Sequence, residues 1–377
     1  MNSLRPKKKI MFLLAHLHKG GMQRAVSNIS QALPEEEFTQ YVGFFGTESP
    51  GFKYNASLVD FDIPGSEKIP FFGKLHNFIK RLWQVRTFVK SNNIDIVISF
   101  GESANVYNIL SLSKAKKFIS CRVSLEQALQ GSGIYTLLYK LLVKACYPFS
   151  DKVICVSKEL GLQIGRFVKD KTKLVVIPNL YHIQDINKLS RETLPEAFAS
   201  LEECKFILNV GSLCYQKGQD DLIEIFKELN NKHNDLFLVI MGRGEWKDKL
   251  LSLCNNLALE RKIIFIDFDT NPYRYMARAS AFVLTSRFEG FPNVLVEAMA
   301  CGTPVVAFDC PTGPSEILED SKWGFLIKNR SKEDAVSCLN KLLEDNSLRA
   351  EMSIMALRRA SDYSSAKIAA LWSKELS

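Results

Sequence analysis

Short apolar runs of strand length recur along the chain: Ile10–Ala15, Tyr41–Phe45, Ile94–Phe100, Phe118–Cys121, Lys152–Val156 and Leu174–Ile177. Longer segments of helical period lie between them, such as Gln23–Leu33 and Phe71–Ser91. The runs are apolar throughout, without strict in/out alternation, and helices separate them. That pattern predicts an α/β protein with parallel sheets covered on both faces. From Pro178 to about Glu203 the sequence turns polar and irregular. The pattern then resumes with Phe206–Gly211, Leu236–Met241, Ile263–Ile266, Ala281–Leu284 and Pro304–Ala307. Two successive doubly wound units are expected, with ligands beyond the carboxyl ends of their strands and a cleft between them.

Length agrees, since 377 residues exceed what one core usually organises. The domains are expected over 1–185 and 186–360, followed by a last segment, 361–377. The apolar share of 46% and charged share of 24% exclude a disordered chain or a fibre. Nine scattered cysteines, with no CxxC pair or zinc spacing, read as reduced thiols of a cytosolic protein. Neither a signal peptide nor a membrane-spanning run is expected.

Charge is uneven. Residues 1–180 hold 25 Lys and Arg against 13 Asp and Glu, a balance of +12, whereas the whole chain carries only +8. Such a half either meets an anionic surface or ligand or is simply a solvated basic face. Between Lys68 and Lys90 six basic residues alternate with aromatics and no acid intervenes. Leu75, Phe78, Ile79, Leu82 and Val89 mark its helical stripe, read as the core face, with the basic residues outward. With Lys7–Lys9 and Lys114–Lys117, this points to an anionic membrane surface; nucleic acid is the rival partner, but no nucleic-acid fold signature is present.

The richest segment runs from Arg287 to Gly302. It follows the strand Ala281–Leu284, and Pro292 marks a helix start that Gly302 ends. Gly290 allows close backbone approach, and the amides of Phe291, Asn293 and Val294 at a helix start favour phosphate. Glu289 precedes the helix and Glu297 lies inside it. Their plainer reading is a cap and a solvated helix residue. Gly20 and Gly21 follow the first strand and Gly211 the first strand of the second half, and neither place has GxGxxG, so a nicotinamide or flavin fingerprint is unsupported.

The segment resembles the signature of retaining family 4 glycosyltransferases, which have the GT-B fold of two Rossmann-like domains. Gly20-Gly21-Met-Gln-Arg24, Val156-Ser157, Ile177-Pro178-Asn179, Gly211 to Gly218, Met241 to Gly244 and Asn271 to Met276 resemble further family motifs in order. The resemblance implies a UDP-sugar donor held mainly by the second domain. Glu289 would contact donor-sugar hydroxyls and Glu297 the ribose. Lys217 would sit on the diphosphate with the amides near Phe291–Val294, where charge grows as the sugar leaves. Gly211, Ser212, Arg243, Phe268, Gly290 and Pro292 complete the donor set, and Gly20 and Gly21 would close over it. The family usually has Arg where this chain has Ser212, so Arg243 or Arg24 is the candidate substitute. His16, Arg24, Arg122 and Thr312 are possible sugar or acceptor contacts, each with a structural alternative. In the family the last helix crosses back to the first domain, with Trp372 as packing anchor.

No metal or other cofactor is expected. Asp267-Phe-Asp269 matches the metal-binding Asp-x-Asp of a different glycosyltransferase class, but Asp60-Phe-Asp62 matches it equally well. The expected activity is transfer of a hexose or N-acetylhexosamine (galactose, GlcNAc or GalNAc) to a glycan on a polyprenyl diphosphate, by an enzyme peripheral at the inner membrane face, in cell-surface polysaccharide or glycan assembly. A UDP-sugar epimerase of the same fold and a non-catalytic nucleotide-sugar-binding protein are the alternatives.

Overall fold

The computed structural model describes residues 6–17, 20–46, 50–63, 71–123 and 134–377, without the side chains at 71, 72, 134–136, 138, 139 and 329. His18, Lys68 and the side chains of Phe71 and Phe72 therefore lie outside the described residues. The chain divides into two compact units, Met1–Leu180 with Ser365–Ser377, and Tyr181–Ser364.

The first unit is a seven-stranded parallel sheet. Its strands are β1 (Lys8–Leu14), β2 (Phe38–Phe44), β3 (Ser57–Asp60), β4 (Ile96–Phe100), β5 (Lys116–Cys121), β6 (Lys152–Cys155) and β7 (Leu174–Val176). They lie in the order β3-β2-β1-β4-β5-β6-β7. The order reverses between β1 and β4, so the turns leaving these two strands flank the switch point where open α/β sheets bind ligands. Helices α1 (Gly21–Ala32), α2 (Phe71–Asn92), α3 (Glu102–Leu110), α4 (Ile134–Cys146) and α5 (Lys158–Gly165) alternate with the strands.

The second unit is a six-stranded parallel sheet of β8 (Lys205–Val210), β9 (Leu236–Met241), β10 (Ile263–Ile266), β11 (Ala281–Leu284), β12 (Val305–Phe308) and β13 (Phe325–Ile327). Its order is β10-β9-β8-β11-β12-β13. The switch point here lies between β8 and β11. The helices are α6 (Ile183–Ser190), α7 (Gln219–Lys232), α8 (Lys247–Asn256), α9 (Tyr273–Met276), α10 (Asn293–Ala300), α11 (Pro314–Leu318), α12 (Lys332–Glu344) and α13 (Asn346–Ala360). The last helix, α14 (Ser365–Leu376), returns to the first unit. Its Trp372 is fully buried and stacks on Phe100 with centroids 6.3 Å apart.

Two strands escape the hydrophobic pattern. Three of the four residues of β3 are exposed, Leu58 among them, and its apolar run is only Leu58-Val59. β13 has only three residues. Helix α6 occupies the stretch that looks irregular in sequence. Helix α2 corrects an expectation: Leu75 and Ile79 are not on the core face. They are 48% and 56% exposed, and Trp83 is 65% exposed, so the three form an outward row at i, i+4 and i+8. Val85 and Val89 are buried, with Phe78, Leu82 and Phe88 packed beside them. A helical stripe about 100° wide fits on this core side without the outer row. Among the described residues, no helix is long and apolar enough to cross a membrane.

Candidate functional site

In the second unit two turns meet at the switch point, one leaving β8 and one leaving β11. The β8 turn is held by the β9 turn. Gly211 N donates to Met241 O at 2.9 Å, and Leu213 N donates to Arg243 O at 2.9 Å. Gly242 is required where they cross: its φ is +154° and a Cβ there would lie 1.8 Å from Gly211 O. This contact places the Arg243 main chain directly beside Ser212.

Lys217 ends a short 3-10 turn, Tyr215–Lys217. Its aliphatic stem lies along Gly211, within 3.6 Å of where a Cβ would stand. Its ammonium donates to Glu289 Oε1 at 2.6 Å. The Ser286 hydroxyl donates to the same oxygen at 2.7 Å. Glu289 is buried and no cap of α10. Burying a carboxylate is costly unless it is paired and hydrogen-bonded, and these two donors meet that need. From below, Thr312 donates to Glu289 O and Glu289 N to Pro311 O at 3.0 Å. Thr312 is wholly buried, with φ +61°, a conformation a β-branched residue rarely holds.

Gly290, Phe291 and Pro292 lead from Glu289 into α10, which starts at Asn293 with Pro292 as its N-cap residue. Asn293 Oδ1 accepts from the Tyr181 hydroxyl at 2.6 Å. A helix start such as Asn293–Val294 presents backbone amides and the positive end of the helix dipole. Glu297 is on the same helix and only 1% exposed, so it is not a solvated helix residue. Phe268, 57% exposed, follows β10, and the Arg243 guanidinium lies 5.9 Å from its ring.

In the Asp267–Asp269 pair both carboxylates are engaged locally. Burial raises the Asp269 carboxyl, but Asn271 N, Arg274 and the Tyr275 hydroxyl more than offset it and hold the group below the usual range. Asp267 pairs with Lys247, and Asp60 accepts from Asp62 N at 2.7 Å.

In the first unit, Gly20 and Gly21 open α1, and Arg24 N donates to Gly20 O at 3.0 Å. Gln23 reaches back to His16 O at 3.1 Å, and the His16 side chain is exposed. Arg122 follows β5, is 8% exposed, and lies 4.9 Å over the Phe100 ring. A buried polar cluster behind the β4 turn is invisible in sequence. The Tyr147 hydroxyl donates to Glu102, Asn105 Nδ2 to Tyr147 Oη at 3.2 Å, and Ser99 to Asn105 at 2.8 Å. Burial pushes the Glu102 carboxyl up to about 7, against the pull of Tyr147 and Asn105. Ser286 directly precedes the Arg287–Gly302 segment and Tyr181 stands two residues after Asn179, and no local pattern marks either as a site residue.

Residues 19–184 match Glycosyltransferase Family 4, and residues 190–359 match Glycosyl transferases group 1. An uncharacterized glycosyltransferase of Methanocaldococcus jannaschii is 30% identical over 333 residues, 78% of this chain and 82% of that one. The N-acetylgalactosamine-N,N'-diacetylbacillosaminyl-diphospho-undecaprenol 4-alpha-N-acetylgalactosaminyltransferase of Campylobacter jejuni is 35% identical over 62% of each chain. The crystal structure of Anabaena HepE in complex with UDP superposes with a TM-score of 0.77 over 98% of this chain and 99% of that one, at 20% identity.

Proposed function

This chain is a glycosyltransferase of the group 1 and family 4 kind with GT-B architecture, and on that premise we propose that it is a retaining enzyme. It transfers a hexose or N-acetylhexosamine from a UDP-sugar to a glycan carried on a polyprenyl diphosphate. The observation that carries this reading is the ion pair of part-buried Lys217 with buried Glu289 at the β8/β11 switch point, beside the N-terminus of α10.

In this proposal the ion pair is the resting arrangement. The donor diphosphate draws Lys217 Nζ onto its oxygens, with the first amides of α10. Glu289, still held by Ser286, then turns Oε1 to a hydroxyl of the donor sugar. As the glycosidic bond breaks, negative charge grows on the diphosphate, and a cation and dipole already in place stabilise it most at that moment. Glu297 binds the ribose hydroxyls. Retention proceeds by front-side attack, the departing diphosphate taking the acceptor proton. A glycosyl-enzyme trapped on Glu289 would overturn this step.

The UDP complex of HepE supports the donor class, and the undecaprenol-linked substrate named for the Campylobacter relative supports the acceptor class. The outward row Leu75, Ile79 and Trp83, on a helix with no acidic residue and with Lys74, Lys80, Arg86 and Lys90 exposed, supports an anionic membrane surface as its working place.

A panel of UDP-sugars, scored for protection against thermal unfolding and then for transfer to a polyprenyl-diphosphate glycan in excess chelator, tests the reading. One UDP-sugar should protect and be consumed only with acceptor. Free sugar released without acceptor would favour an epimerase, and full loss restored by manganese would refute metal independence.

A further inference from the structure

The β8 and β11 turns are joined by more than the Lys217–Glu289 contact. Arg287 N donates to Gln216 O at 2.7 Å. Gln216 Nε2 donates to Phe288 O at 3.0 Å, and Thr285 Oγ1 to Lys217 O at 3.2 Å. The Arg287 guanidinium then crosses to the β8 turn. Nη1 donates to Tyr215 O at 2.8 Å, and the fork takes Asp220 bidentately at 2.9 Å on both oxygens. Its outer face lies 4.5 Å from the centre of the Tyr215 ring and 5.7 Å from that of Trp246. The side chain is only 12% exposed.

Asp220 is in the first turn of α7, and Gly218, with φ +63°, packs so that a Cβ would lie 2.2 Å from Thr285 O. One guanidinium therefore fixes both ends of the 3-10 turn that carries Lys217, the Tyr215 carbonyl before it and the Asp220 carboxylate after it. A lysine on a flexible four-carbon stem has no such control over its own root.

We propose that Arg287 is a positioning residue for donor transfer: it clamps the Tyr215–Asp220 turn so that Lys217 meets the diphosphate while Glu289 faces the sugar. It acts through that turn and the adjoining Asp221, whose Oδ2 accepts from its Nη2 at 3.3 Å. The proposal rests on the assignment of Lys217 and Glu289 to the donor site.

The test is a double-mutant cycle between Arg287→Ala and Lys217→Met on the full chain, reading kcat and KM for the UDP-sugar and, in parallel, the Kd of UDP. In the wild-type background Arg287→Ala should lower kcat/KM about 10- to 100-fold, the scale expected of a misplaced catalytic group. In the Lys217→Met background the same change should cost less than about threefold, because the group it positions is gone. Arg287→Lys keeps the charge and loses the fork; it should fold normally, raise the UDP Kd and recover only part of the rate. Full multiplication of the two single effects would mark a general structural role and overturn the proposal. So would an Arg287→Lys protein within about twofold of wild type in both readouts. If Lys217→Met alone left transfer and UDP binding unchanged, the donor-site assignment would fail, a result distinct from failure of the clamp.

Discussion

Lys217 Nζ stands 2.6 Å from Glu289 Oε1, although the two residues are 72 positions apart. The contact exists because β8 and β11 are sheet neighbours, so the turns leaving them adjoin. Removing one partner leaves a buried charge, and removing both does not. Lys217→Met should therefore destabilise the protein by up to about 3 kcal/mol, and Lys217→Met with Glu289→Gln should melt closer to wild type. Activity should not follow stability: Glu289→Ala, Lys217→Met and the double variant should each lose at least about 100-fold in transfer. Thermal melts beside initial rates check this, and full transfer by Glu289→Ala would point to a different site.

The resemblance would place an Arg where this chain has Ser212, and the Arg243 main chain pairs with Leu213 immediately beside it. We expect Arg243 to supply the missing guanidinium. Arg243→Ala should weaken UDP binding about tenfold, the worth of one charge-assisted contact. Adding Ser212→Arg to that variant should restore most of the loss. Calorimetric titration of the two variants decides it; no rescue would leave Arg243 outside the diphosphate contacts.

Glu102 sets a pH dependence. Its folded carboxyl is raised from 4.5 to about 7, chiefly by burial. The folded state thus holds a proton that the unfolded state releases between these values. The penalty is absent below about pH 4.5, grows as pH rises, and is complete above about 7, where it reaches at most about 3 kcal/mol. Glu102→Gln removes it. The melting temperature of the variant relative to wild type should rise from pH 5 to pH 8. An unchanged difference would show that Glu102 is ionised throughout.

The outward row on α2 predicts membrane behaviour. Each basic side chain near an anionic leaflet contributes about 1 kcal/mol, and Lys74, Lys80, Arg86 and Lys90 are exposed on the same helix. Sedimentation with anionic vesicles at physiological salt should retain wild type, and Leu75→Ser with Ile79→Ser and Trp83→Ser should release it with transfer to a water-soluble acceptor intact. Equal recovery on neutral and anionic vesicles would remove the electrostatic part of the argument.

Much of this was written locally in the chain. The apolar runs determined the strands and their burial on both faces. Their alternation with helical segments, broken by the polar stretch after Pro178, determined two doubly wound units, and Pro292 after Gly290 marked where α10 begins. Tertiary structure decided the rest. Strand order is not local: β9 and β10 intervene in sequence between β8 and β11, so nothing near Lys217 announces Glu289. A buried carboxylate has the same letter as a solvated one, so only packing shows that Glu102 and Glu297 are enclosed. Leu75 and Ile79 fitted either edge of a helical stripe, and only the neighbours of α2 turned them outward.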